Sequence, residues 1–209
     1  MPASARGVFG SRLSLAEGYV RLLATDGVTR GLIGPREAPR LWERHLLNCA
    51  VLSDVVGERA EVCDIGSGAG LPGLVLAIRR PDLRVTLVEP LLRRTTFLAE
   101  AVTALALDTV EVVRGRAEDL HGQRTFDVVT SRAVAPLPRL LDWSMPLVRP
   151  GGELLAMKGS SAEREVIEGS ASMRRWGISD AEVLQVGSAV IDPPTTVIRA
   201  RSSRSSPLR

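Results

Sequence analysis

The chain has 209 residues, 44% of them hydrophobic and 24% charged, which suits one α/β domain with a short appendage and excludes a disordered or fibrous polymer. No uncharged run is long enough to span a bilayer, and two cysteines make neither a disulfide framework nor a metal cluster, so a soluble, cytoplasmic, metal-free protein is expected. The net charge is only +3, but the cations are 26 arginines and one lysine, Lys158, and after Asp192 come Arg199, Arg201, Arg204 and Arg209 with no acid.

Residues 14–25 read as the first helix, with Ser14 and Glu17 at capping-box spacing and Leu15, Val20, Leu22 and Leu23 as apolar positions. Residues 37–56 read as a longer amphipathic helix whose Trp42, His45, Leu46, Cys49 and Leu52 share one face. A segment of this size with so few large apolar side chains buries little alone. Residues 1–57 are therefore expected to be a helical layer packed on a domain spanning 58–201, with 202–209 a disordered basic tail.

From residue 61 strand and helix signals alternate, with strands at 61–65, 84–88, 109–113, 126–130, 152–157, 182–186 and 196–200. Helices fall at 72–78, 91–105, 137–147 and 162–176. Alternation implies a mainly parallel sheet covered on both faces. The last two strands have no helix between them and should pair antiparallel, giving a seven-stranded Rossmann-like α/β fold with a terminal hairpin, the form of class I S-adenosylmethionine methyltransferases.

The most informative segment is 61–73, E-V-C-D-I-G-S-G-A-G-L-P-G. Gly66, Gly68 and Gly70 follow a strand and precede a helix, where glycine lets the backbone turn at positive φ and approach a ligand closely. Gly68, Gly70 and Gly73 also spell the dinucleotide fingerprint, so spacing alone admits NAD. Asp64, two residues before Gly66, favours S-adenosylmethionine, because a carboxylate there suits the amino group of an amino-acid-like ligand and repels a pyrophosphate.

Ligands of open α/β sheets bind outside the carboxyl ends of the strands. There Glu89 suits two ribose hydroxyls, Ala117 and Glu118 suit an adenine edge, and Arg132 falls where donor and acceptor should meet. Lys158 follows the fifth strand and is a candidate phosphate partner, while His45 is a candidate contact that is more often a satisfied core histidine. Trp42, Trp143 and Trp176 are expected in the core.

The strings RHLLN (44–48), DIGSGAGLPG (64–73), RRTTFL (93–98), RAED (116–119), FDVVTSRAVAPL (126–137) and LLAMKG (154–159), in this order and spacing, resemble the RsmG/GidB family. These are bacterial small-subunit ribosomal RNA guanine-N7 methyltransferases. The resemblance covers about residues 12–200. It implies S-adenosylmethionine as cofactor, a guanine in the decoding-region loop of 16S rRNA or the 30S subunit as acceptor, and cofactor contacts at Gly66, Leu71, Ala117, Glu118 and Arg132. Many members carry Asp-Ser where this chain has Asn48 and Cys49.

The residues narrow the acceptor independently. The fourth strand ends T-S-R-A rather than with the N-P-P-Y of amine methylation, one lysine cannot make a two-lysine ribose site, and neither cysteine lies near that strand end. Guanine N7 carries no proton and needs positioning rather than a base. The expected site therefore comprises Arg132, Lys158 and His45 for transfer, and Asp64, Gly66, Gly68, Gly70, Leu71, Glu89, Ala117, Glu118 and Arg132 for the cofactor, in a monomer. A small-molecule methyltransferase, an NAD-linked reductase and a catalytically silent RNA-binding module are the alternatives.

Overall fold

Seven strands form one mixed sheet in the computed structural model, which describes residues 1–202. They are β1 (Glu61–Ile65), β2 (Arg84–Glu89), β3 (Val110–Arg114), β4 (Phe126–Arg132), β5 (Val148–Lys158), β6 (Ile178–Val186) and β7 (Thr195–Ser202). Their order is β3-β2-β1-β4-β5-β7-β6. The first five run parallel, and β7 is antiparallel to both β5 and β6. The chain leaves β1 in one direction for β2 and β3, then returns to the other side of β1 for β4 and β5. That reversal opens a crevice at the carboxyl ends of β1 and β4, where Asp64 sits in register with Thr130.

Strand burial alternates between two covered faces. Val62 joins one apolar cluster with Leu74, Leu76 and Leu87, while Cys63 and Ile65 join another with Leu141, Leu154 and Ile198. Helix α4 (Gly73–Arg79) belongs to the first cluster, and α6 (Leu137–Ser144) to the second. Tyr19, Leu46, Cys49 and Leu52 from the amino-terminal layer lie inside the first cluster, so that layer and the sheet share one core. The remaining helices beside the sheet are α5 (Leu92–Ala104), α7 (Ala162–Glu168) and α8 (Ser170–Arg175).

The amino-terminal layer departs from expectation in two ways. Helix α1 (Ser4–Phe9) and a 3₁₀ turn, Gly10–Arg12, precede α2 (Leu13–Leu22), so the helical run starts ten residues before Ser14. No side-chain cap begins α2, because the turn before it already feeds helical backbone forward. The expected helix over 37–56 is instead a 3₁₀ segment Pro35–Arg40, a π-helical segment Leu41–Leu47, α3 (Asn48–Ala50) and a 3₁₀ segment Val51–Val55. Pro39 removes a backbone donor near its start. The expected face survives: His45, Leu46, Cys49 and Leu52 are buried and Trp42 is partly buried.

Arg199 and Arg201 are not tail residues. Both lie in β7, where Arg199 Nε is 3.1 Å and Arg201 Nε 3.0 Å from Glu153 Oε2 on β5. Arg204 and Arg209 lie outside the described residues.

Candidate active site

The glycine loop after β1 is held from three sides. The N–H groups of Gly66 and Ser67 donate to the Val88 carbonyl at 2.8 and 3.1 Å, and Ser67 Oγ donates back to the Asp64 carbonyl at 2.7 Å. Gly68 N–H donates to Glu89 Oε2 at 3.0 Å. From the amino-terminal layer, Tyr19 Oη donates to the Ala69 carbonyl at 2.6 Å. The loop is thus shaped before any ligand arrives.

Over it lies a cavity of about 550 Å³ lined by Gly66, Gly68, Leu71, Glu89, Ala117, Glu118 and Arg132 among others. Seven of the nine expected cofactor residues meet there. Glu89, only 1% exposed, has Oε1 accepting from Leu91 N–H at 3.1 Å while Arg94 Nη1 lies 3.4 Å from Oε2. Oε2 already takes both the Gly68 N–H and Arg94, so Oε1, with one donor on it, is the oxygen that keeps acceptor capacity for a hydroxyl.

The other two lie off the cavity walls. Asp64 is fully buried beneath the loop and does not line the cavity, because Gly73 N–H at the start of α4 occupies its Oδ2 at 2.9 Å. Its Oδ1 is buried with no partner. Burial pushes the Asp64 carboxyl up to about 7, opposed by the hydrogen bond from Gly73 and by the Arg132 charge. Gly70 does not line the cavity either; it packs against Leu74 and Tyr19.

A second cavity of about 1120 Å³ lies alongside, lined by Glu37, Arg44, His45, Asn48, Lys158 and Glu165 among others. The two share Leu32, Ile33, Arg132, Ala133 and Val134 as walls. At this boundary Arg132 Nη1 is 2.9 Å from His45 Nδ1, and His45 Nε2 is 3.1 Å from Glu37 Oε2. Burial lowers the His45 pKa, the Arg132 charge lowers it further, and Glu37 opposes both.

Lys158 reaches the second cavity, but its ammonium is already matched. Nζ donates to Glu165 Oε2 and to the Ala135 carbonyl, both at 2.7 Å. Burial alone would raise the Glu165 pKa, yet Lys158 and Ser161 hold it below the ordinary value. Asn48 Nδ2 donates to Thr195 Oγ1 at 2.8 Å, and that hydroxyl donates to the Asn48 carbonyl at 2.9 Å, tying α3 to β7. Both thiols are buried, which pushes Cys49 up to about 11 and Cys63 higher still, so neither is a ready nucleophile.

Several lining groups were missed in the sequence, among them Arg94, which lies beside Glu89. Leu32 and Ile33 come from an irregular turn with no periodic signal, and Trp143, expected in the core, lines the first cavity. Trp143 sits on α6, beyond the reach of any strand-end rule.

Comparisons with known proteins agree with this geometry. Residues 12–191 match the family model GidB, described as rRNA small subunit methyltransferase G. A ribosomal RNA small subunit methyltransferase G of Nocardioides sp. is 64% identical over 200 residues, covering 95% of this chain and 80% of that protein. The protein of that name from Thermobifida fusca is 58% identical, covering 94% of this chain and 83% of its own. Among solved structures, a SAM-dependent O-methyltransferase of Thermotoga maritima aligns with a TM-score of 0.59 at 14% identity, over 81% of this chain and 71% of that one. TYW2 of M. jannaschii in complex with AdoMet gives 0.58 at 18% identity, over 73% and 72%. At such identities these two share the fold.

Proposed function

The chain belongs to the GidB family, rRNA small subunit methyltransferase G, and from that premise we propose that it transfers a methyl group from S-adenosylmethionine to N7 of a guanine in the decoding-region loop of 16S rRNA. The first cavity holds the cofactor and the second takes the guanine. Glu89 accepts from a ribose hydroxyl through Oε1, Ala117 and Glu118 border the adenine, and Gly66 and Gly68 give backbone room. The orphaned Asp64 Oδ1 beneath the loop fits a site for an amino-acid ammonium, reached through water rather than directly. When bound, S-adenosylmethionine supplies an electrophilic methyl group on a sulfonium.

One observation carries the choice of acceptor: the part-buried basic groups at the second cavity that could remove a proton are engaged, and the remaining carboxylate, Glu168, is 65% exposed to solvent. His45 has both ring nitrogens occupied, Glu37 holds His45 and Arg44, and Glu165 holds Lys158. Guanine N7 needs no deprotonation, only in-line placement at the shared wall, and positioning alone supplies much of such a barrier. Methyl transfer leaves a cationic 7-methylguanine and a neutral thioether.

Residues 58–201 form the methyltransferase unit, with 1–57 packed on it through the shared core. Both cavities are complete within one chain, which supports a monomer, acting in the cytoplasm where ribosomal subunits are assembled. No helix among the described residues is long and apolar enough to cross a membrane.

The test is to incubate the protein with cofactor and either 16S rRNA or 30S particles lacking the modification, then treat the RNA with borohydride and aniline. One new scission in the decoding-region loop is expected. No scission, or scission elsewhere, overturns the assignment.

A further inference from the structure

The Glu37–His45–Arg132 chain is more than a contact at a cavity wall. Arginine has N–H donors and no acceptor, so a 2.9 Å contact from Arg132 Nη1 requires a lone pair on His45 Nδ1. The ring proton must then be on Nε2, where it donates to Glu37 Oε2 at 3.1 Å. His45 is buried at 8% exposure, and Arg132 is the only one of the three that reaches both cavities. The charged groups facing His45 are Arg132 from β4, Glu37 from the 3₁₀ segment Pro35–Arg40, and Arg44 on its own π-helical segment.

We propose that His45, held as the neutral imidazole with its proton on Nε2, is a positioning residue that fixes the Arg132 guanidinium on the wall common to the two cavities, and that protonating His45 releases Arg132 and slows methyl transfer. The mechanism is a change of hydrogen-bond sign. An imidazolium has a proton on Nδ1, so the Arg132 contact becomes donor against donor and cation against cation. Arg132 must then move off the wall or expel the ring. Neighbouring Arg44 adds to the repulsion, while Glu37 alone favours the charged ring.

The inference rests on the reading of the two cavities as donor and acceptor sites. It predicts an acid limb in the rate below the ordinary histidine value of 6.5, because the folded environment favours the neutral ring. Asp64, its carboxyl pushed up to about 7 by burial, is present in every variant, so its titration cancels in the comparison of wild type with His45→Gln.

The experiment measures kcat and KM for 7-methylguanosine formation on 30S particles between pH 5 and 8.5. In wild type, kcat should fall below pH 6.5. His45→Gln, whose carboxamide oxygen accepts from Arg132 but does not titrate, should lose that limb whatever its absolute rate. Glu37→Gln should move the limb to lower pH, since it removes the carboxylate that favours the imidazolium. His45→Ala should lower kcat/KM about 10- to 100-fold above the limb, the scale expected for a misplaced group at the reacting centre, with the deficit shrinking at lower pH as wild type also releases Arg132. Thermal melts check that each variant is folded. An unchanged acid limb in His45→Gln, or wild-type kinetics in His45→Ala, overturns the proposal. Failure of wild type to form 7-methylguanosine at any pH would instead overturn the reading of the cavities.

Discussion

Two glycines in one motif have opposite duties. Gly68 (φ +59°) borders the first cavity, and a Cβ there would meet nothing nearer than the Gly66 carbonyl at 3.8 Å. Gly70 (φ +97°) would place a Cβ 2.4 Å from Leu74 Cδ1 and 3.0 Å from Tyr19 Oη. Gly68→Asp should therefore abolish S-adenosylhomocysteine binding in a titration while costing only about 1 kcal/mol of stability, since aspartate tolerates the positive φ better than most residues. Gly70→Ala should instead unfold more easily, by roughly 2–4 kcal/mol from overpacking and strain together. Equal melting curves for the two would contradict this division. The motif was legible in the sequence, but the division was not, because regular spacing does not reveal which glycine faces ligand and which faces Leu74.

Asp64 was also legible as important, yet its place was not. A carboxylate at a strand end reads the same whether it faces the cavity or caps the next helix. Its pKa is raised from 3.8 to about 7, so the folded state holds a proton that the unfolded chain has released between those values. The stability it contributes is present below 3.8 and lost as pH rises through about 7, a swing of roughly 4 kcal/mol at 1.36 per unit. Asp64→Asn does not titrate, and its carbonyl oxygen can still accept from Gly73. Urea unfolding of the ligand-free protein from pH 4 to 8 should show the variant gaining on wild type steadily with pH. A constant difference would mean that Asp64 stays ionised in the fold.

At the scale of elements, strand positions were read well because apolar runs bounded by turns specify them. The amino-terminal layer was read less well. Its segments wind as 3₁₀, α and π in succession, and the contacts that select each winding come from the sheet beneath rather than from local spacing. The end of β5 shows a similar limit. The solitary Lys158 suggested a phosphate partner, whereas it and Glu165 pin α7 to the loop before α6: Nζ holds the Ala135 carbonyl, and Glu165 Oε2 also accepts from Leu137 N–H at 3.1 Å. Their side chains are only 7% and 17% exposed. A double-mutant cycle with Lys158→Met and Glu165→Gln should give a coupling of about 1–3 kcal/mol in unfolding free energy. Additive losses, together with a flatter salt dependence of RNA binding in Lys158→Met, would restore the phosphate role.

For the whole molecule, a net charge of +3 is small, so RNA affinity has to come from exposed cations beside the second cavity. Arg36, Arg40 and Arg44 recur every four residues along the segment bordering the second cavity, and Arg164 borders it from α7. Arg44 and Arg164 are 54% and 73% exposed, so their ion pairs with Glu37 and Glu168 are easily exchanged for phosphate. Replacing both by serine should reduce the log–log salt slope of rRNA binding by about 0.7 for each phosphate that is no longer neutralised. An unchanged slope would move the RNA footprint elsewhere. Arg199, only 16% exposed and paired with Glu153, should contribute little to that slope.

The central claim is that two adjoining cavities carry a methyl group across the Arg132 wall to a ring nitrogen that needs no base. Mass spectrometry of nucleosides, after unmodified 30S subunits are incubated with this protein and isotopically labelled S-adenosylmethionine, tests it most directly. The prediction is label in 7-methylguanosine, one per 16S rRNA. Label on an exocyclic amine, on carbon-5 of a pyrimidine or on ribose, or no label in the RNA at all, would contradict it.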